Sequence, residues 1–302
     1  MGRWAQVKVN IRREAVEAVT ALFLDLGAGG VVLDDDDADA PFLVAYWPDD
    51  EQLHERLQRL RHGLAALPDH GLPEAEGDVQ VDWVEEEDWA HGWKAHFRPR
   101  LVGARLLIRP TWDGEGGNEP ASAEGAERIT IWLDPGMAFG TGHHPTTRLC
   151  LELMERHVTP GMAVADVGTG SGILAIAAAR LGAEQVVAVD VDPHAVKVAQ
   201  ENAAVNGVEE RVAFAPGSAA RARELAGGPV PLVVANITAD VLTFLKDDLA
   251  ALVAPGGRII VSGIVEPKWD GVKAAFAALG FSVEEARRED DWVAAVLRRA
   301  AA

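Results

Sequence analysis

A glycine-rich turn between an apolar strand pattern and an alanine-rich helix pattern constrains this chain most strongly. Residues 163–172 read AVADVGTGSG, and residues 172–181 continue with the composition of a helix. Glycines let a backbone bend tightly and let a ligand approach without meeting a Cβ atom. In an open α/β sheet, such a turn lies at the carboxyl ends of the strands, where ligands bind. The segment therefore predicts a ligand site around Gly168 and Gly170.

Strand and helix patterns alternate from residue 160 to the end of the chain, which predicts an α/β fold with a doubly wound, mostly parallel sheet. The predicted strands are 163–168, 185–190, 212–215, 231–237, 258–264, 282–286 and 292–297. The predicted helices are 172–181, 193–206, 239–253 and 266–279. Since a short charged turn joins the last two strands, we expect them to form an antiparallel hairpin at an edge of the seven-stranded sheet.

Two polar residues end strands of this sheet. Asp190 follows Gly168 by 22 positions, and a carboxylate there can accept hydrogen bonds from both hydroxyls of a ribose. Its alternative role is to cap the next helix, but Asp192, directly before Pro193, is better placed for that. Asn236 should open onto the same crevice, where its amide can bind an amine, although asparagine at a strand end is also a common turn former.

The first third of the chain predicts a separate domain over residues 1–84. Its strand patterns are 6–11, 31–33, 42–47 and 79–83, and its helix patterns are 13–26 and 49–67, the second with Asp49 or Asp50 as N-cap. The order β-α-β-β-α-β is that of the ferredoxin-like, split βαβ fold. We expect a linker over residues 85–96, a second domain over 97–302, and a mobile surface loop or insertion over 113–127.

Charge is concentrated in this first third. The net charge is −19, and residues 1–90 contribute −14 of it, with 7 Lys and Arg against 21 Asp and Glu. Such a surface repels nucleic acid and attracts basic partners, although a role in solubility explains the charge equally well. An RNA-recognition domain of the same topology would need basic and aromatic residues on its sheet, so the acidic excess argues against RNA.

Several classes of protein are disfavoured by composition. No apolar run reaches the ~18–20 residues of a membrane helix, and the charged start of the chain lacks the pattern of a secretory signal. A single cysteine, Cys150, excludes a disulfide framework and is expected to be a small buried hydrophobic residue. These features favour the cytoplasm.

A second glycine-rich string, DPGMAFGTGHHPTT at residues 134–147, lies shortly before the turn and could fold over a bound ligand. His143 and His144 are adjacent, so their side chains diverge, and none of the nine histidines has a metal-binding spacing to an acidic partner. We expect no metal site.

Residues 166–172 together with Asp190 resemble the class I methyltransferases, which bind S-adenosylmethionine. The string at 134–147 and the later segment VVANI resemble one family closely, the ribosomal-protein methyltransferases of the PrmA type. The likeness covers residues 85–302 and implies a protein-lysine N-methyltransferase that modifies large-subunit ribosomal protein eleven, including its N-terminal α-amine. The small acidic domain would then recognise this basic substrate, and we expect a monomer.

The resemblance also implies roles for particular residues. Thr147, Gly168, Asp190 and Asn236 match cofactor-contacting positions of the family. The residues that match its glycine-rich loop, close to the methionine and adenosine parts of the cofactor, are Phe139, Gly140 and Thr141. For the mechanism that this resemblance implies, we hypothesise that Asn236, through its side chain or its backbone carbonyl, orients the attacking amine and that Phe139 packs near the transferred methyl group.

Other functions remain open at this point. Ile173 occupies the position where a dinucleotide-binding fingerprint needs a glycine, which disfavours an NAD-dependent oxidoreductase. Asn236 is followed by Ile-Thr-Ala and lacks the aromatic residue with which a nucleic-acid methyltransferase would stack a flipped base. A small-molecule methyltransferase or a non-catalytic binding protein would leave the acidic domain or the amine site unexplained.

Overall fold

The computed structural model describes residues 3–12, 15–28, 31–34, 42–70, 72–73, 75–85, 99–113, 128–133, 142 and 144–301. Two compact units divide the chain, Met1–Arg98 and Pro99–Ala302. The predicted linker over 85–96 lies outside the described residues from residue 86 onward, as does the predicted loop over 113–127 from residue 114 onward.

The first unit has the ferredoxin-like order that its sequence predicts. Its elements are β1 (Arg3–Asn10), α1 (Val16–Asp25), β2 (Val31–Asp34), β3 (Phe42–Pro48), α2 (Leu53–Ala65) and β4 (Glu76–Glu85). The antiparallel sheet has the strand order β2-β3-β1-β4. Alternate residues of β1 are buried, and they join Phe23 of α1 and Leu60 of α2 in one apolar core.

The predicted N-cap of α2 is wrong. The helix begins at Leu53, and its capping residue is Gln52, whose side chain makes no capping hydrogen bond. Asp50 lies one turn earlier, where its carboxylate accepts a hydrogen bond from the Gln52 N–H (3.0 Å) and pairs with Arg56. Asp50 therefore stabilises the turn that leads into the helix.

The second unit begins with a small sheet of β5 (Arg100–Val102), β6 (Leu106–Arg109) and β7 (Ile129–Trp132). Its further strands are β8 (Ala163–Val167), β9 (Gln185–Asp190), β10 (Val212–Pro216), β11 (Val230–Asn236), β12 (Val253–Val265), β13 (Phe281–Glu289) and β14 (Trp292–Arg299). Its helices are α3 (Pro145–His157), α4 (Ile173–Arg180), α5 (Pro193–Val205), α6 (Ala219–Leu225), α7 (Ala239–Phe244), α8 (Lys246–Leu252) and α9 (Glu266–Ala277).

The seven-stranded sheet has the order β10-β9-β8-β11-β12-β14-β13, and its first five strands are parallel. One apolar core joins it to α3, α4 and the end of α5, and another joins its opposite face to α6, α7, α8 and α9. The predicted doubly wound sheet and its antiparallel terminal hairpin are thus confirmed. Within this hairpin the last strand, β14, pairs with β12, and β13 forms the edge of the sheet.

Three features of this unit differ from the prediction. The helices α3 and α6 were not predicted from the sequence. The helix predicted over 239–253 is two helices that meet at Leu245, whose ψ of 3° leaves helical geometry. Asp247 and Asp248 lie in the first turn of the second helix, where negative charge favours a new helix N-terminus. No helix among the described residues is long and apolar enough to cross a membrane.

Candidate functional site

The glycine turn after β8 is bonded to the neighbouring strand β9. The N–H groups of Gly168 and Thr169 both donate to the carbonyl of Val189, at 2.9 and 3.0 Å. Gly168 has a φ of +79°, and a Cβ atom there would lie 2.4 Å from Cγ2 of Ile237. Conformation and space both require glycine at this position.

Asp190 lies at the carboxyl end of β9 and holds the turn in place. Its Oδ2 accepts the N–H of Gly170 (2.9 Å), and its Oδ1 accepts the N–H of Asp192 (3.0 Å). An ionised carboxylate has about four lone-pair sites, so two remain for a ligand. The helix cap is instead Asp192, whose side chain accepts the N–H of His194 (2.8 Å), as predicted.

Asn236 and Thr147 meet although 89 positions separate them. The Nδ2 of Asn236 donates to Oγ1 of Thr147 at 3.4 Å, and Thr147 is fully buried in the first turn of α3. The Oδ1 of Asn236 is buried and accepts no hydrogen bond from any residue that the structure describes. An unsatisfied buried acceptor is costly, which makes this atom a candidate partner for a ligand donor.

Ile237, the residue after Asn236, is held between two glycines. Gly168 contacts its side chain, and Gly263 of β12 contacts its backbone. Gly263 has a φ of +79°, and a Cβ atom there would lie 2.5 Å from the Ile237 carbonyl oxygen. The two close approaches determine where the chain runs as it leaves Asn236.

His144 lies directly before α3, and the sequence did not predict its role there. It caps α3 by accepting the Thr146 N–H on Nδ1 (3.3 Å), and its ring meets Trp292 edge-on, with 4.8 Å between centroids. Burial, with the charge of Arg148 close by, lowers the pKa of His144 to about 4. The sequence signal was Pro145, which is typical of the first helical position.

Asp166 lies beneath the turn and is fully buried. Its Oδ2 accepts a hydrogen bond from the Thr169 hydroxyl (2.7 Å). Burial raises the pKa of Asp166 to about 7, because removal from water disfavours the charged form. Cys150 is also buried, as predicted, and burial raises the pKa of its thiol.

The predicted site residues divide into two groups. Gly168, Gly170, Asp190, Thr147 and Asn236 meet at the carboxyl ends of the adjacent strands β9, β8 and β11. The second group, Phe139, Gly140 and Thr141, lies outside the described residues, as does His143.

The chemistry of this arrangement could hold a nucleoside beside an amine. A carboxylate with spare lone pairs can hold two hydroxyl groups, and the buried amide oxygen of Asn236 can accept an amine N–H. Among the residues that the structure describes, no group of three or more His, Cys, Asp or Glu could hold a metal ion.

Comparison with known proteins gives one consistent result. The family model "Ribosomal protein L11 methyltransferase (PrmA)" matches residues 3–300. The ribosomal protein L11 methyltransferase of Bacillus cereus (strain Q1) is 37% identical, over 99% of this chain and 100% of the relative. That of Bacillus anthracis (strain A0248) is 36% identical over the same shares.

A solved structure is similar as well. The crystal structure of ribosomal protein L11 methylase from Lactobacillus delbrueckii subsp. bulgaricus is 34% identical, with a TM-score of 0.58. The match covers 68% of this chain and 100% of that one. Because residues 3–300 match the family model and 99% of the chain matches these Bacillus relatives, the chain belongs to the ribosomal protein L11 methyltransferase (PrmA) family.

Proposed function

We propose that this protein transfers methyl groups from S-adenosylmethionine to ribosomal protein L11, at lysine side chains and at the N-terminal α-amine. The observation that carries the proposal is the arrangement of side chains at the carboxyl ends of the central strands. Asp190 is anchored beside the glycine turn with lone pairs to spare, and the buried Oδ1 of Asn236 lies on the other side of β8 with no described hydrogen-bond partner. The family supplies the substrate, since the relatives named above are ribosomal protein L11 methyltransferases.

The residues present fit this cofactor. Asp190 would bind the ribose hydroxyls, and the turn at Gly168 and Gly170, which Asp190 holds in place, would lie beside the cofactor. Thr147 and Asn236 would hold the end of the cofactor that carries the methyl group. Contacts from Phe139 and Thr141 are predictions from the resemblance alone.

When bound, S-adenosylmethionine supplies an electrophilic methyl group on a sulfonium. The protein's task is then to present an uncharged amine in line with that methyl group. A lysine ammonium with a pKa of ~10.4 must first lose a proton, and burial beside a cation favours the neutral amine. We assign to Asn236 Oδ1 the acceptance of an amine N–H, which aims the nitrogen lone pair, and no strong general base is required.

The first unit would recognise the substrate. Its acidic surface suits a basic ribosomal protein and repels the phosphates of nucleic acid. We further propose that the protein acts as a monomer in the cytoplasm, without direct sequence-specific binding of nucleic acid.

The proposal is tested by incubating the protein with labelled S-adenosylmethionine and purified ribosomal protein L11, followed by mass spectrometry of the labelled chain. We expect methyl groups on lysines and on the N-terminal amine. The result that would overturn the proposal is binding of the cofactor without transfer to any amine of this substrate.

The role of Asn236 is tested in the same assay with saturating cofactor. We expect Asn236→Ala to lower kcat by about 100-fold, since loss of correct orientation is costly in a reaction that depends on positioning. Thr238→Ala is the matched control, because Thr238 is exposed two positions later and its side chain makes no capping hydrogen bond. A wild-type kcat for Asn236→Ala would show that the orienting role is wrong.

A further inference from the structure

Two buried asparagines, Asn202 in α5 and Asn206 at its C-cap, bind backbone on either side of that helix. Asn202 is 6% exposed, and its Nδ2 donates to the Ser171 carbonyl at 2.8 Å. Asn206 is 5% exposed and follows one turn later, where its Nδ2 donates to the carbonyl of Asn202 at 2.8 Å. The same Nδ2 also donates to the Trp132 carbonyl at 2.6 Å, and Oδ1 accepts the Trp132 N–H at 2.8 Å. We call this set of bonds the amide bridge.

One end of the amide bridge reaches the glycine turn. Ser171 lies between Gly170, which binds Asp190, and Gly172, which caps α4. The Ile176 N–H bonds to the Gly172 carbonyl, one residue beyond that of Ser171. The bond from Asn202 thus satisfies a buried carbonyl of the glycine turn, one residue from the Gly170 that binds Asp190.

The contact between α5 and the turn leaves little room for adjustment. A Cβ atom on Gly172 would lie 2.9 Å from Cβ and 3.0 Å from Cα of Ala199, which is one turn before Asn202. The backbone of the glycine turn therefore packs against α5 at van der Waals distance, and the hydrogen bond from Asn202 holds the turn and the helix together.

The other end of the amide bridge reaches β7, an edge strand in its three-stranded sheet. The Leu133 N–H donates to the Arg109 carbonyl of β6 (2.9 Å), so the backbone N–H and C=O of Trp132, one residue earlier, face away from β6. Asn206 binds both of these backbone groups of Trp132, as a neighbouring strand would.

We propose that Asn202 and Asn206 are positioning residues for cofactor binding. They hold the glycine turn against α5, and α5 against β7, so that Gly170 and Asp190 keep the geometry that the cofactor requires. This inference rests on the proposed function, because it assigns the turn to S-adenosylmethionine. If their role were purely structural, substituting these asparagines would lower the stability of the protein and leave the affinity of the folded protein for the cofactor unchanged.

The test is calorimetric titration of S-adenosylhomocysteine into wild type, Asn202→Ala and Asn206→Ala, at a temperature where circular dichroism shows each to be folded. We expect Kd to rise about tenfold in both variants, because the turn would then hold the binding-competent geometry only about a tenth of the time. Arg211→Ala is the matched control. Its guanidinium donates to the Ala179 carbonyl at the far end of α4 (3.1 Å), so its loss removes a similar bond away from the turn.

The outcomes separate the two proposals. Wild type that binds no S-adenosylhomocysteine would contradict the proposed function itself. Wild type that binds it, with both asparagine variants matching Arg211→Ala in Kd, would overturn the positioning role alone.

A milder variant covers the case in which the alanine variants do not fold. Asn202→Ser removes the bond to the Ser171 carbonyl without burying a charge, because its short hydroxyl can bond within its own helix. We expect faster hydrogen exchange at the amides of residues 170–173 and a raised Kd in this variant. Unchanged exchange and unchanged Kd would overturn the inference.

Discussion

Asp190 binds the backbone of the protein on both sides of its carboxylate. Each of its carboxylate oxygens accepts a peptide N–H, one from the turn and one from the start of the next loop. Hydrogen bonds to a carboxylate are stronger than neutral ones, so the site is organised before any ligand arrives. The same residue type two positions later, Asp192, only caps a helix.

This difference gives a matched pair of variants. Asp190→Asn replaces one acceptor by an NH2 group that faces a backbone N–H donor, and we expect Kd for S-adenosylhomocysteine to rise at least about tenfold. Asp192→Asn should leave Kd unchanged, because asparagine caps helices as well as aspartate does. Calorimetric titration measures both, and equal affinities for the two variants would contradict the assigned role of Asp190.

Asp166 should make stability depend on pH. Its folded pKa of about 7 lies above the ordinary value of 3.8, so between pH 4 and 7 the folded state binds more protons than the unfolded state. The free energy of unfolding therefore falls as pH rises through this window and levels off above it. His144, whose pKa is lowered to about 4, acts in the opposite sense below pH 6.5.

Urea denaturation of wild type and Asp166→Asn isolates this contribution. We expect the stability difference, wild type minus variant, to decline from pH 4 to pH 7. Asp270→Asn is the control, since a hydrogen bond from Lys273 lowers the pKa of that exposed carboxyl. The difference in stability between wild type and Asp270→Asn should therefore not change with pH above pH 5. Parallel profiles for wild type and Asp166→Asn would show that Asp166 does not titrate there.

At the scale of elements, the site depends on where β11 ends between its two neighbours. The turn after β8 meets the Ile237 side chain, and β12 meets the Ile237 backbone through Gly263. The first helix after the small sheet, α3, then brings Thr147 against Asn236. Three elements therefore determine the position of one strand end.

Substitutions at two glycines of β12 can distinguish the cost of crowding Ile237 from the cost of backbone strain. Gly256 and Gly263 have φ values of +71° and +79°, but a Cβ atom would meet nothing within 4 Å at Gly256 and the Ile237 backbone at Gly263. We expect Gly256→Ala to cost about 1 kcal/mol and leave kcat unchanged. Gly263→Ala should cost about 2–4 kcal/mol and lower kcat, because it displaces the chain beside Asn236. Denaturation and the methylation assay measure the two effects, and equal behaviour of both variants would contradict the packing argument.

At the scale of the whole molecule, charge is the dominant feature. The net charge is −19, and most of it lies in the first 90 residues. Long-range attraction between opposite charges accelerates encounter more than it strengthens the final complex.

We therefore expect the association rate constant for ribosomal protein L11 to fall about tenfold or more between ~0.01 and ~0.15 M salt, as the Debye length shortens from ~30 to ~8 Å. Stopped-flow fluorescence measures this rate. The affinity for the small zwitterionic S-adenosylhomocysteine serves as the internal control and should change little. A rate independent of salt would show that the acidic unit does not steer the substrate.

Local patterns determined much of this protein in advance. The strand and helix alternation, the turn at Gly168, the carboxylate at Asp190 and the cap at Asp192 could all be predicted, because each is a property of a few consecutive residues. The helix α3 escaped prediction because its sequence was interpreted as the end of a glycine-rich loop, although Pro145 is a typical helix start.

Only the tertiary structure decided which distant residues meet. Thr147 reaches Asn236, Ile237 lies between Gly168 and Gly263, and Asn206 binds Trp132 from 74 positions away. These contacts depend on strand order and on the packing of helices across the sheet, which no local periodicity encodes. The position of β14 between β12 and β13 also depends on tertiary structure, because the order of strands in a sheet is not a property of any single segment.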